Sequence, residues 1–222
     1  MARSGPVPGD RGRSLLYVAL TTLALFGCLG VVISAHPRTL LDDAVRGVVL
    51  GWNSPAGAKF FSVVSTVGSV TPMIVYAFIV VALVALFRRS LVPLTILFAP
   101  MAAVFAYLGT KSLFLRTRPS GVGNAFEGTY SFPSAHATTS SAVCFAVAYL
   151  LYREGVLSRA VAATAGTAVS LVIGFSRIYL DVHWTTDVIG GWCLGFAIGA
   201  VAATLYESAG GAGVAGVSRQ LS

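Results

Sequence analysis

The sequence predicts an all-α membrane protein: a bundle of six transmembrane helices with a short amphipathic helix between spans one and two. Three observations predict it. The 222 residues are 56% hydrophobic and only 10% charged, and the mean hydropathy is +0.82, far from the balance of a soluble domain. Six apolar runs recur along the chain, near 14–34, 60–87, 91–113, 137–152, 157–178 and 185–206. The cations gather in the short connections between those runs, as the basic loops of a membrane protein do when they set its orientation.

The first run, residues 14–34, is longer than the apolar stretch of a signal peptide and reads as the first span, ended near Pro37. Thr39 followed by Asp42 resembles a capping box. Leu41, Val45, Val48, Val49 and Trp52 then recur at helical spacing, with Asp42, Asp43 and Arg46 off that face. Residues 39–52 therefore read either as a helix lying on the membrane surface or as a cap over the bundle; the pattern fits both. The run at 137–152 is short for a bilayer core that takes about 20 residues to cross, so its helix is expected to start near Ser134. Gly191, Gly195 and Gly199 repeat every four residues in the last run and predict close packing between helices of this chain. Cys28, Cys144 and Cys193 lie in apolar runs without ligand spacing and read as small buried residues. Three segments follow: a cytoplasmic leader over 1–13, a six-span domain over 14–207 and a disordered cytoplasmic tail over 208–222.

Arg11, Arg13, Arg88, Arg89, Arg153 and Arg159 fall on one side of this arrangement, which the positive-inside rule makes cytoplasmic. The net charge of +7 thus marks topology and not a nucleic-acid partner. The other connections, 114–136 and 178–184, face outward together. The longer is rich in loop formers: Pro119, Gly121, Gly123, Asn124, Gly128 and Pro133.

Three clusters of ionisable residues meet that outer side: Lys111, Arg116 and Arg118; Ser134 and His136; and Ser176, Arg177, Asp181, His183 and Asp187. A charge at mid-bilayer costs about 2.5–3.5 kcal/mol on the insertion scale. Lys111, Arg118, Arg177 and Asp187 together would cost on the order of 10 kcal/mol there, so they belong at the interface or in a wet pocket. Guanidinium and ammonium groups suit a dianionic phosphate. The start of the fourth span, around Ser134 and Ala135, offers backbone N–H groups and a positive helix end. His136 and His183 supply an acid and a nucleophile. Asp187, four residues after His183, is placed to orient its imidazole. Asp181 and Arg116 read as solvated charges, Trp184 as an interfacial anchor, and His36 receives no role.

These residues resemble the type 2 phosphatidic acid phosphatase superfamily. Lys111 with Arg118 and Pro119 looks like its K-x6-R-P motif, "PSAH" at 133–136 resembles P-S-G-H, and Ser176, Arg177, His183 and Asp187 are similar to S-R-x5-H-x3-D. Ala135 stands where the family has Gly. The resemblance implies a metal-independent hydrolase of lipid phosphates or diphosphates in the cell membrane, with the site on the extracytoplasmic side. It implies no cofactor and no partner beyond the lipid substrate and the bilayer. By the same resemblance His183 is the nucleophile, Asp187 its partner and His136 the general acid, while Lys111, Arg118, Ser134, Ala135 and Arg177 hold the phosphate. A lipid phosphotransferase with an acceptor other than water would have the same site. A non-catalytic lipid-binding protein is disfavoured by the intact Lys111, histidines and Asp187, and a soluble haloperoxidase by the six spans.

Overall fold

The structure, a computed structural model, describes residues 8–119 and 130–210. Those residues are all-helical. The helices are α1 (Pro8–Ala35), α2 (Leu40–Gly51), α3 (Pro55–Val67), α4 (Val70–Arg88), α5 (Phe98–Phe114), α6 (Ala135–Arg153), α7 (Arg159–Tyr179) and α8 (Thr185–Ser208), with a 3₁₀ segment, Val92–Leu97, leading into α5. Among the described residues, five helical stretches are long and apolar enough to cross a membrane: Arg11–Ala35, Val70–Arg88, Val92–Phe114, Arg159–Tyr179 and Thr185–Ser208. Large apolar side chains such as Leu20, Phe78, Leu86, Phe87 and Phe105 point away from the protein. That is the pattern of a bundle whose solvent is lipid.

Helix α6 is the centre of the bundle and packs against α4, α5, α7 and α8. It is the least apolar of the long helices because its first half carries Thr138, Thr139, Ser140 and Ser141, all fully buried. Glycines on α8 make this contact possible. A Cβ on Gly195 would sit 1.9 Å from Ser141 Oγ and 2.3 Å from Thr138 O, and one on Gly199 would sit 2.9 Å from Phe145 Cβ. The four-residue glycine repeat is thus an intramolecular seam, as its spacing predicts. At the end of the bundle remote from α6's N-terminus, Arg88 pairs with Glu154, and Arg153 with Glu207.

The structure departs from the sequence reading at several points. The single run expected over 60–87 is two helices, α3 and α4, broken at Gly68 and Ser69. A Cβ on Gly68 would meet the Ile173 side chain of α7 at 2.5 Å. Helix α2 has the expected capping box, with Asp42 N donating to Thr39 Oγ1 (3.2 Å) and Thr39 N to Asp42 Oδ2 (3.2 Å). Leu41, Val48 and Trp52 are exposed and Val49 is buried, but Asp42, expected off the apolar face, is buried as well. Cys28 is exposed on α1, while Cys144 and Cys193 are half-buried. The glycine-rich part of the 114–136 connection, with Gly121, Gly123, Asn124 and Gly128, lies outside the described residues, as do residues 1–7 of the leader and 211–222 of the tail.

Candidate active site

One end of the bundle collects the ends of five helices: the C-termini of α3, α5 and α7 and the N-termini of α6 and α8. Helix α5 stops after Lys111 because Leu115 turns into the left-handed region (φ 49°), and the chain folds back over the bundle. This turn buries Arg116 and Arg118. Ser131 N donates to Arg116 O (2.7 Å), which ties the far side of the loop to the same place. A cis Phe132–Pro133 bond precedes α6. Ser134 caps that helix, its Oγ accepting from Ala137 N at 3.5 Å. Gly191 lets α8 approach; a Cβ there would lie 2.9 Å from Ser134 O. Ser134 N accordingly reaches Asp187 O at 3.1 Å.

The eight residues assigned from the sequence are all buried at this end: Lys111, Arg118, Ser134, Ala135, His136, Arg177, His183 and Asp187. Lys111 Nζ donates to Tyr130 O (3.0 Å). Arg118 Nη1 donates to Val182 O (2.8 Å) and faces His183 Nε2 at 3.2 Å. His183 Nδ1 faces Asp187 Oδ2 at 3.3 Å and Ser131 Oγ at 3.4 Å. The tautomer follows from the partners. A guanidinium can only donate, so Nε2 is the acceptor; a carboxylate can only accept, so Nδ1 carries the proton. The lone pair that could attack an electrophile therefore points toward Arg118.

Asp187 is held from every side. Its Oδ1 accepts from Arg116 Nη1 (2.6 Å). Its Oδ2 accepts from Trp184 N (2.8 Å) and from the Ser131 hydroxyl in a short bond. Arg116 Nη2 also donates to Asp42 Oδ2 (2.6 Å), and Arg116 is 4% exposed between two carboxylates that are 0% exposed. The solvated reading of Arg116 thus fails: the turn at Leu115 carries it inward, and burial requires it to be paired.

The solvated reading of Asp181 fails as well. Asp181 adopts φ 55° in the α7–α8 connection and grips Arg46 with both oxygens, at 2.7 and 2.8 Å. That hydrogen bond raises the Arg46 pKa above its ordinary value, against the opposing effect of burial. Trp184 is not an interfacial anchor. It is 7% exposed, donates Nε1–H to Thr117 O (2.9 Å), and lies beneath the guanidinium groups of Arg38, Arg46 and Arg116, which stand 5.6–5.8 Å from its ring.

Sequence reasoning missed Ser65, Ser131 and Asp42. Ser65 sits on α3, is buried, accepts a short hydrogen bond from Arg177 Nη1 and stands 3.5 Å from His136 Nε2. No motif flags it, because α3 is remote in sequence. Asp42 had a local explanation in the capping box, which hid its second set of partners. Burial pushes the Asp42 carboxyl pKa up, yet the Thr186 backbone N–H and the Arg116 guanidinium outweigh that and hold it below the ordinary carboxylate range.

Lys111, Arg116, Arg118 and Arg177 outnumber Asp42 and Asp187, so the site carries an excess of positive charge that suits an anion. Among the described residues there is no group of three or more His, Cys, Asp or Glu side chains placed to hold a metal ion.

Comparison with known proteins shows what the chain is similar to. The family model of the PAP2 superfamily matches residues 92–210. Over 92 residues the chain is 34% identical to phosphatidylglycerophosphatase B of Bacillus subtilis (strain 168), covering 40% of this chain and 45% of that protein. Over 123 residues it is 30% identical to an undecaprenyl-diphosphatase of Sulfolobus acidocaldarius, covering 52% of this chain and 56% of that protein. The chain thus spans about half the length of the curated relatives it matches. The crystal structure of the first transmembrane PAP2 type phosphatidylglycerolphosphate phosphatase from Bacillus subtilis superposes with a TM-score of 0.75 at 22% identity, over 93% of this chain and 98% of that one. That likeness establishes the fold.

Proposed function

The chain belongs to the PAP2 superfamily, and on that premise we propose that it hydrolyses the phosphate or diphosphate of a membrane lipid through a phosphohistidine intermediate. The observation that carries this reading is the His183 geometry: Nδ1 faces Asp187 at 3.3 Å while Nε2 is turned toward Arg118 at 3.2 Å. The imidazole is oriented by a carboxylate behind it and opens onto cations in front. Phosphatidylglycerophosphatase B and undecaprenyl-diphosphatase, the names of the relatives, support phosphatidylglycerol phosphate and undecaprenyl diphosphate as substrates; phosphatidic acid fits the same chemistry.

The proposed steps are these. Arg118, Arg177, Lys111, the Ser134 hydroxyl and the Ala135 N–H take the phosphate oxygens. His183 Nε2 forms a bond to phosphorus as the bond to the leaving oxygen breaks. His136 gives that oxygen a proton. The ring, now phosphorylated on Nε2 and protonated on Nδ1, is a cation beside Asp187. Water then attacks phosphorus, His136 takes its proton, and the P–N bond breaks to return His183 with its lone pair. These groups supply charge stabilisation and proton transfer themselves, so the reaction is read as metal-independent.

Helix α6 serves as the sixth span in this reading, shielded from lipid by its neighbours, which is why its polar first half is tolerated. Helix α2 lies at the outer surface, with its exposed Leu41 and Val48 toward lipid. The spanning domain covers 14–207, between the leader 1–13 and the tail 208–222, and the active site faces outward because Arg88, Arg89, Arg153 and Arg159 lie at the other end. Cysteine labelling at positions 123 and 157 tests the orientation: reaction from outside at 157 and protection at 123 would reverse it.

The test of function is phosphate release in detergent from phosphatidic acid, phosphatidylglycerol phosphate and undecaprenyl diphosphate, with rapid-quench labelling. Acid-labile, base-stable label on the wild type and none on His183→Ala is the expected outcome. A water-soluble sugar phosphate cleaved faster than every lipid, or loss of turnover in EDTA restored by Mg²⁺, would overturn it. Transfer to a lipid or sugar acceptor with no phosphate released without it would assign the chain to the phosphotransferases.

A further inference from the structure

Arg116 lies inside the first motif but is not one of its defining positions, and Asp42 lies in none. Together they nonetheless hold Asp187. Every nitrogen of the Arg116 guanidinium is engaged: Nε with Pro37 O (2.8 Å), Nη2 with Asp42 Oδ2 (2.6 Å), and Nη1 with Asp187 Oδ1 (2.6 Å) and Thr186 Oγ1 (2.7 Å). A guanidinium so saturated is not a phosphate ligand. Asp42 in turn accepts from Thr186 N (2.9 Å) and from Thr186 Oγ1 (2.9 Å) through Oδ1. It therefore grips both the residue before Asp187 and the cation paired with Asp187. All of Asp42, Arg116, Thr186 and Asp187 are buried.

We propose that Asp42 and Arg116 are positioning residues for the His183–Asp187 pair, so that helix α2 belongs to the catalytic apparatus. This rests on the phosphatase reading above. The charge balance explains why two carboxylates flank one arginine. Arg116 alone with Asp187 would form a neutral pair with little pull on the histidine. Asp42 takes up part of the arginine's charge, so the cluster Asp42–Arg116–Asp187 carries one net negative charge. The imidazole becomes cationic as Nε2 bonds to phosphorus, and that negative charge then compensates it in a site sheltered from water. The benefit arises only when the ring charge develops. It therefore belongs in kcat and not in substrate binding.

Asp42→Asn is the test: the amide oxygen keeps an acceptor for Thr186 N–H, while the charge is lost and an NH₂ replaces the oxygen that accepts from Arg116 Nη2. The full chain in detergent is assayed for kcat and KM on the best lipid phosphate, and for binding of vanadate and of inorganic phosphate by thermal shift. Vanadate needs an axial bond from His183 Nε2, whereas phosphate needs only the cations. The expected result is a kcat at least roughly tenfold lower with KM within about twofold, weakened vanadate binding and unchanged phosphate binding. In an Asp187→Asn background the same substitution should cost nothing further, because the two act through one linkage. If Asp42→Asn does not fold, Arg116→Lys, which keeps the charge and loses the fork, should show the same split. Wild-type kcat and vanadate affinity in the folded variant, or a fully additive loss with Asp187→Asn, overturns the inference while leaving the phosphatase reading standing. A wild-type protein that binds no vanadate overturns both.

Discussion

Replacing Asp187 by Asn should disable the nucleophile while leaving the fold in place, and the donors around the carboxylate say why. Oδ1 receives Arg116 Nη1; Oδ2 receives Trp184 N and the Ser131 hydroxyl and faces His183 Nδ1. An asparagine has one oxygen and one NH₂, so one side must lose its acceptor. Turning the NH₂ toward Arg116 sets a donor against a buried cation, a break that costs about 3–5 kcal/mol. Turning it toward Trp184 N leaves one neutral donor unsatisfied, about 1–3 kcal/mol. The second orientation wins. The amide then donates to His183 Nδ1, which becomes an acceptor, and the ring proton moves to Nε2. The lone pair that should attack phosphorus is gone, and Nε2–H now confronts the Arg118 guanidinium. The comparable tautomer error in a serine-protease triad lowers kcat by about 10⁴, equivalent to about 5.5 kcal/mol of barrier. Phosphate release should fall by roughly that factor, with melting still cooperative and lowered only by the neutral-donor cost. Single-turnover rapid quench checks the step directly, since phosphoenzyme formation and not its breakdown should slow. A variant within tenfold of the wild-type rate would refute the tautomer argument.

Other expectations follow from the same contacts. Ser65→Ala removes the acceptor that fixes Arg177 beside His136, and should lower kcat/KM by roughly tenfold, about 1.4 kcal/mol; unchanged kinetics would exclude α3 from the site. Gly195→Leu should lose several kcal/mol of stability, above the usual overpacking cost of about 1–3 kcal/mol, because its Cβ would overlap backbone and side chain on α6, whereas Gly27→Leu on the exposed face of α1 meets nothing within 4 Å and should melt like wild type. Thermal denaturation in detergent compares the two. Asp42 has a folded-state pKa below its unfolded value, so its contribution to stability is present above pH about 4 and lost as pH falls through the folded value. Asp42→Asn should therefore lower the melting temperature near pH 7 and flatten its fall on the acid side.

What could be read without coordinates divides by the range of the physics involved. Capping at Thr39, the glycine seam of α8 and the i, i+4 pairing of His183 with Asp187 are set by residues one helical turn apart, and each is visible as spacing. The convergence of the eight candidate residues at one end of the bundle was legible because they belong to short motifs at helix ends, where a charge can escape lipid. The break at Gly68 was not legible, since the run stays apolar through it and the Ile173 side chain that leaves no room for a Cβ there lies more than a hundred positions away. The same applies to Ser65 under Arg177. Arg116 and Asp181 were misread for one reason: an isolated charge near an interface is normally solvated, and only the packing of α2 over the α7–α8 connection shows that these are not; Asp42 was hidden behind its capping box. Arg46 and Asp181 close that packing from outside, Trp184 lies beneath three guanidinium groups, and Arg116 joins Asp42 to Asp187 within. Removing Arg116 from such a cluster leaves two buried carboxylates, Asp42 and Asp187, without their cation. The physical consequence is that α2 is bound to the His183–Asp187 pair more tightly than any local feature of its sequence implies.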